Sequence, residues 1–276
     1  MADTAAAPAT KAGAPDAVAG SAVSADELLE ELGGEPKLWR WLGMPLLLTG
    51  ALVALYVYLQ NQDLPRRMQG QVTREAITER IIQHLNLTLV STLFVILIAV
   101  PLGILLTRPA TRRLTSPFLA LANMGQAIPS YGVLVLFAVA LGTGYRYAVY
   151  ALVLYAVLPV LRNTMVGLEQ VDESLIEAGR GMGLTSMQVL RRIELPLAVP
   201  VVLAGIRTAL VINIGTATLA TFTGAGGLGA LIDAGRTAGD VGTPVLLTGA
   251  VLTATIALAI DWVAGIVEHI LRPKGL

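Results

Sequence analysis

Few residues in this chain could carry out chemistry, and most of them sit inside apolar runs. Cysteine is absent, and histidine occurs only at His84 and His269. There is therefore no thiol nucleophile, disulfide or thiolate metal site, and two histidines this far apart in sequence do not suggest a metal centre. Gly224-x-Gly226-x-x-Gly229 has the spacing of a dinucleotide fingerprint. That motif needs a strand before it and an acid about 20 residues beyond. Here an apolar helical run precedes it, and the residue at the distant position is Gly249. A glycine-rich outer turn, with its backbone close to another helix or a partner, is the expectation. No Gly-x-x-x-x-Gly-Lys-Ser/Thr occurs, so the chain carries no phosphate-cradling loop of that kind.

Two ionisable residues, Arg207 and Asp261, lie within apolar runs. Charges in such places are costly and mark ion pairs or pathways. They are expected to pair between neighbouring helices, with snorkelling of Arg207 as the plainer alternative. Asn213, Thr216 and Thr218 sit among small residues in one apolar run, and Thr88, Ser91 and Thr92 in another. Small polar side chains there either line a hydrated path or join helices. Tyr131, Tyr145 and Tyr147 are candidates for contacting a ligand, or members of an interfacial belt.

The richest segment is Asp172–Pro196. Leu175, Ile176 and Met182 are apolar within a charged stretch, and Met187, Val189, Leu190 and Ile193 form a second amphipathic stretch. Gly179, Gly181 and Gly183 between them permit a sharp turn or close approach of another backbone. Pro196 suits the first turn of a following helix. The expectation is a short helix, a glycine turn and a second helix, shaped to dock on a partner.

These residues need a membrane bundle to hold them. The chain has 276 residues, of which 55% are hydrophobic and 14% charged, with a mean hydropathy of +0.70. Apolar runs cover Leu42–Leu59, Ile82–Leu106, Phe118–Leu141, Arg146–Leu168, Leu197–Phe222 and Val245–Leu271. Each has about the 20 residues that a bilayer crossing requires. They are too long and uniformly apolar for barrel strands, so an all-α integral membrane fold with six crossings is predicted. Ala127-Ile128-Pro129-Ser130 interrupts the third run. The first run lacks the basic start and cleavage site of a signal peptide and is read as an uncleaved span. Trp39, Trp41, Tyr56 and Tyr58 bracket it as interfacial anchors. Residues 1–36 cannot bury a core and read as a disordered tail. Ser24 and Glu27 in that tail have capping-box spacing, which predicts a short helical patch over Ser24–Leu32. Residues 37–80 would add one span and an external linker to a domain over 81–276.

Counting Lys and Arg, twelve fall on one side and six on the other when both termini are placed in the cytoplasm. Asp172–Pro196 then also lies in the cytoplasm. Formal net charge is zero, so nothing suggests nucleic acid as a partner.

At this loop the chain resembles the permease subunits of binding-protein-dependent ABC importers. Their pattern is Glu-Ala-Ala, three residues, Gly, nine residues, Ile-x-Leu-Pro. The sequence has Glu177-Ala178-Gly179, Gly183, Ile193, Leu195 and Pro196, with Gly179 where alanine is usual. The resemblance implies that these residues form a coupling helix seated in a cleft on a separate ATPase. Asn86–Thr92, Gln126–Ser130, Leu158–Thr164, Ala204–Ala209, Ile214–Ala220 and Gly224–Gly229 resemble the osmoprotectant branch, whose cargo is glycine betaine, choline, carnitine or similar quaternary amines. The likeness covers about Arg80 to Arg272 and leaves the first span as an addition to a five-helix core.

The resemblance further implies a non-catalytic subunit in a bacterial cytoplasmic membrane. Its partners would be an ATPase dimer that binds ATP and Mg, a second permease, alike or not, an external substrate-binding protein, and lipid. Quaternary ammonium groups are held on aromatic faces. With only 3 Trp, 7 Tyr and 4 Phe in this chain, the selective cage is expected on the binding protein. The rivals are a permease for another small solute such as an amino acid, an ion-coupled secondary transporter, and an intramembrane enzyme. A secondary transporter would predict repeated halves, and no internal repeat is visible.

Overall fold

The computed structural model describes residues 37–271, with side chains from residue 42 onward. The tail expected over 1–36, its Ser24–Leu32 patch, the side chains of Trp39 and Trp41, and Arg272 and Lys274 lie outside the described residues. The chain divides into two compact units, Met1–Gly43 and Met44–Leu276. The first contributes only the opening turns of helix α1 (Lys37–Gln60) to the described residues.

Among the described residues the secondary structure is helical throughout. A short helix α2 (Arg66–Gln69) leads into the long α3 (Arg74–Leu106). Sequence places the start of this span near Ile82, yet the helix begins eight residues earlier. Thr73 is the reason: its hydroxyl accepts from the Ala76 N–H at 3.2 Å, and Glu75 lies in the first turn.

The third apolar run is not one straight span. It breaks into α4 (Thr115–Ala127) and α5 (Ser130–Leu141), bent by 96°. Ile128 is extended, at φ −78° and ψ 133°, as a residue before proline prefers, and Pro129 follows in a similar conformation. The two halves nevertheless run the length of α6 (Tyr145–Glu169). Arg162 donates to Asn123, and Gln126 donates to the Tyr155 carbonyl at 3.0 Å. Beyond the break, Val133 and Leu134 pack with Ala148, Val149 and Leu152.

The broken pair also starts and finishes at opposite ends of α3. Thr115 donates to the Leu106 carbonyl, whereas Tyr145, just past α5, reaches Asn86. Asn86 to Leu106 is about 30 Å of helix, one bilayer core. The pair therefore makes one jointed crossing. Among the described residues five further helical segments are long and apolar enough to cross a membrane, so with the jointed pair counted as one span there are up to six.

α9 (Leu195–Leu219) and α11 (Thr243–Leu271) complete the bundle. The centre is built from α3, α6 and α9, with Val95, Ala99, Ala156, Val160, Leu161 and Ala209 buried between them. Small residues allow this close approach, since lipid supplies no hydrophobic drive between helices. Gly205 is an example between α9 and α6: a Cβ there would lie 2.6 Å from the Asn163 Cβ. α1 differs, because Leu46, Leu47, Val53, Tyr56 and Val57 along it are all exposed. Its Leu55 joins a cluster around Met68, Leu228 and Leu231.

The connections fall at two ends. Asp172–Pro196 lies beside the Leu106 end of α3, through a contact between Arg108 and Glu194. The glycine-rich loop lies at the other end, where the Gly227 N–H donates to the side chain of Gln83 and the Gly144 N–H donates to the Thr223 carbonyl. Gly224, Gly226 and Gly227 all have φ between +76° and +90°. The fingerprint spacing thus serves a turn between α9 and the short helix α10 (Gly229–Thr237).

Candidate functional site

The loop begins with helix α7 (Glu173–Gly181). The Asp172 carboxylate caps it, accepting from the Ser174 N–H at 2.8 Å. Hydrogen bonding from the Ser174 backbone and then its side chain holds the Asp172 carboxyl below the ordinary carboxylate range. Glu177 and Ala178 are exposed, as are Leu175 and Met182, the last at 74%.

The helix ends in a Schellman motif. The Leu184 N–H donates to the Gly179 carbonyl at 3.1 Å, and the Gly183 N–H to the Arg180 carbonyl at 2.9 Å. Gly183 stands at the left-handed position of this motif, at φ +83°, which a side chain would strain. Gly179 is buried for a different reason: a Cβ on it would lie 2.6 Å from the Ile193 Cδ1. Two members of the motif therefore pack on each other, and the departure from alanine at 179 matches the reach of Ile193.

The second half of the loop differs from expectation. Thr185 and Gln188 form a capping box around helix α8 (Ser186–Val189), which sequence reasoning passed over although the spacing was visible. From there the helix does not stop. A π-helical turn over Leu190–Glu194 carries it into α9, so one helical path runs from Ser186 to Thr223. Pro196 lacks an N–H and crowds the preceding turn. The wider turn, with the Leu195 N–H donating to the Leu190 carbonyl, absorbs that mismatch without breaking the path. Leu195 packs against Leu168, Leu190 and Ala198, and Pro196 is exposed.

Glu194 was missed by sequence reasoning. It is 5% exposed, and both its oxygens accept from the Arg108 guanidinium, one of them at 3.2 Å. Its partner lies 86 residues away, and no local pattern signals such a pair.

The residues considered for a pathway separate into two groups. Thr88 and Asn213 are fully buried and Thr216 nearly so. The Asn213 Nδ2 donates to the Thr92 hydroxyl at 3.0 Å, joining α9 to α3. This buried seam also holds His84, for which sequence reasoning found no role in a metal site or as a catalytic base. The His84 ring nitrogens, the Thr88 hydroxyl and the Asn213 carbonyl oxygen have no hydrogen-bond partner among the described residues. The Ile214 backbone faces the ring without the geometry of a hydrogen bond. Thr218 and Tyr131 lie elsewhere. Thr218 donates to the Gly215 carbonyl. Tyr131 is exposed and stacks edge-on against Phe222, with ring centroids 5.7 Å apart.

Arg207 and Asp261 meet between α9 and α11. The guanidinium donates to both carboxylate oxygens, at 2.6 and 2.7 Å. Glu268 stands 3.7 Å from the same guanidinium, a third member that sequence reasoning did not include.

Comparison with known proteins bears on this arrangement. The family described as "Binding-protein-dependent transport system inner membrane component" matches residues 99–273. The carnitine transport permease protein OpuCD of Listeria monocytogenes is 41% identical over 203 residues, covering 74% of this chain and 90% of that one. The glycine betaine/carnitine/choline transport system permease protein OpuCD of Bacillus subtilis is 40% identical over 197 residues, covering 71% and 85%. The osmoprotectant import permease protein OsmY of Salmonella typhimurium is 45% identical over 179 residues, covering 65% and 75%. Among solved structures, an inward-facing form of the MetNI methionine ABC transporter aligns with TM-score 0.64 and 26% identity, covering 76% of this chain and all of its own. With its loop motif and helical order accounted for, the chain belongs to the family of binding-protein-dependent transport system inner membrane components.

Proposed function

We propose that this chain is a membrane subunit of an ATP-driven importer for osmoprotectants, with glycine betaine, carnitine, choline or a related quaternary amine as cargo. The observation that carries this is the Glu177–Pro196 loop, folded as a compact docking element with exposed apolar side chains at one end of a six-crossing bundle. Three relatives of 40–45% identity, named for carnitine, glycine betaine, choline or osmoprotectant transport, support the cargo.

In this reading the loop end faces the cytoplasm, with both termini, in a bacterial inner membrane. Two such subunits, alike or not, face each other around a path. A cytoplasmic ATPase dimer binds ATP and Mg and holds the two loops through Glu177, Ala178, Gly179, Gly183, Ile193, Leu195 and Pro196. An external binding protein delivers cargo at the glycine-rich end. ATP binding closes the ATPases, moves both loops, and switches the path from inward to outward access. The chain performs no covalent step. It binds cargo weakly, because release on the far side requires that binding be loose.

The test is ATP-dependent uptake of radiolabelled glycine betaine by vesicles holding this chain, its ATPase and its binding protein. Accumulation that requires all three supports the reading. Accumulation of methionine but not of quaternary amines would replace the cargo and leave the class standing. Uptake driven by an ion gradient without ATP would overturn both.

A further inference from the structure

The loop is joined by chain to α6 and α9, but not to α3. Its tie to α3 is made by side chains. Glu194 stands in the π-helical turn, directly after Ile193, which packs on Gly179 of the docking helix. Arg108 stands just beyond the end of α3 and is anchored there, its Nε donating to the Ile104 carbonyl at 3.2 Å. Ile104 also packs against the Leu168, Leu190 and Ala198 cluster at the base of the loop.

A charged pair in this place needs a reason. Glu194 is 5% exposed while the Arg108 side chain is about a third exposed, so the carboxylate is the desolvated partner, and an apolar residue in its place would generally be as stable. A bidentate arginine–carboxylate contact adds direction, because two parallel hydrogen bonds fix the angle as well as the distance. The π-helical turn supplies the other requirement. Such turns are local irregularities that favour functional positions, and this one lies between the part of the loop that meets a partner and the part that enters the bundle.

We propose that Glu194 and Arg108 are a positioning pair that transmits movement of the coupling loop to helix α3. The route runs from α7 through Gly179 and Ile193 to Glu194, across to Arg108, and into the helix that carries Thr88 and Thr92. Two helices move with the loop because they are covalently continuous with it, and the ion pair makes α3 the third. This rests on the loop's docking to an ATPase, as proposed above.

Two measurements on the assembled complex of permease, ATPase and binding protein test it. The first compares Glu194→Gln and Arg108→Lys with wild type in proteoliposomes, scoring glycine betaine taken up per ATP hydrolysed. Both variants are expected to assemble with the ATPase and hydrolyse ATP, with uptake per ATP lowered about tenfold. Uptake per ATP within twofold of wild type overturns the proposal. So does a fall in uptake that only follows the amount of assembled complex, since that marks a structural role.

The second measurement does not depend on cargo. The chain has no cysteine, so Ser186→Cys and Leu105→Cys, both at exposed positions, accept spin labels without background. In the otherwise wild-type chain the distance between labels should be the same with and without ATP, because loop and helix end move together. With Glu194→Gln added, it should broaden or shift on ATP binding. Equal behaviour in the two backgrounds overturns the positioning pair even if uptake of betaine is never seen. Failure of the wild-type chain to assemble with the ATPase overturns the proposed function and this inference together.

Discussion

Gly179 and Ile193 lie on opposite sides of the loop turn and pack so closely that a methyl group on Gly179 would come within 2.6 Å of the Ile193 Cδ1. The obstacle is the tip of a flexible side chain. Gly179→Ala should therefore fold, since about 1 kcal/mol of helix propensity offsets the rearrangement of Ile193. Gly179→Leu should cost about 1–3 kcal/mol through overpacking and abolish co-purification with the ATPase. Gly179→Leu/Ile193→Ala should recover part of the loss. Thermal unfolding and ATPase co-purification check all three.

Asp172 makes the loop's first turn sensitive to acid. Hydrogen bonds from Ser174 depress its pKa in the folded state. A depressed pKa means that the cap's contribution is fully present above the unfolded-state value and is lost as pH falls through the folded value. Amide exchange across Ser174–Glu177 should thus be unchanged near neutrality and accelerate below the ordinary carboxylate range. Asp172→Asn, which can cap without titrating, should remove that pH dependence. An equal acid response in Asp172→Asn would locate the effect elsewhere.

Arg207 has two acids in reach, Asp261 in bidentate contact and Glu268 at 3.7 Å. All three side chains are about a third exposed, so no single contact carries a large energy. Asp261→Asn should cost only about 1 kcal/mol, because Glu268 remains to face the guanidinium. Asp261→Asn/Glu268→Gln should cost more than the two single changes summed, since Arg207 is then left without a counter-charge in an apolar span. A double-mutant cycle on melting temperature in detergent or lipid reads the coupling.

Asn213 donates to Thr92 while its own carbonyl oxygen is unpartnered and buried. Asn213→Ala removes the unpaired acceptor but leaves the buried Thr92 hydroxyl without this partner, and Thr92→Val leaves the Asn213 amide without an acceptor, so each should cost about 1–3 kcal/mol. Asn213→Ala/Thr92→Val should cost less than the two single changes summed. A double-mutant cycle on melting temperature decides whether the seam is held by this bond.

What the sequence disclosed depended on how local the cause was. Six apolar runs needed only composition, and the break at Ile128-Pro129 needed only the restriction that proline places on the residue before it. The 96° angle did not follow, because packing of each half on α6 sets it. Gly183 was legible as a turn from its spacing, and its left-handed φ supplies the reason. Gly179 was legible as a motif member but not as the seat of Ile193, a contact made across the turn. Thr185 and Gln188 had capping-box spacing in plain view. The π-helical turn gave no such signal, and Pro196 pointed to a boundary where the helix in fact continues. Glu194 and His84 were opaque because their surroundings come from helices far along the chain.

The helical path from Ser186 to Thr223 has a mechanical consequence. At 1.5 Å per residue its 38 residues make a rod about 57 Å long. A hydrocarbon core of about 30 Å leaves much of it projecting into water. One tip carries the capping box of the coupling loop, and the other ends at the glycine-rich turn braced by Gln83. Any free energy with which a ligand at one tip tilts or rotates this rod acts with equal size on whatever is bound at the other. In the proposed importer, tightening of the ATPase by a docked binding protein and tightening of the binding protein by ATP would be one quantity measured from two sides.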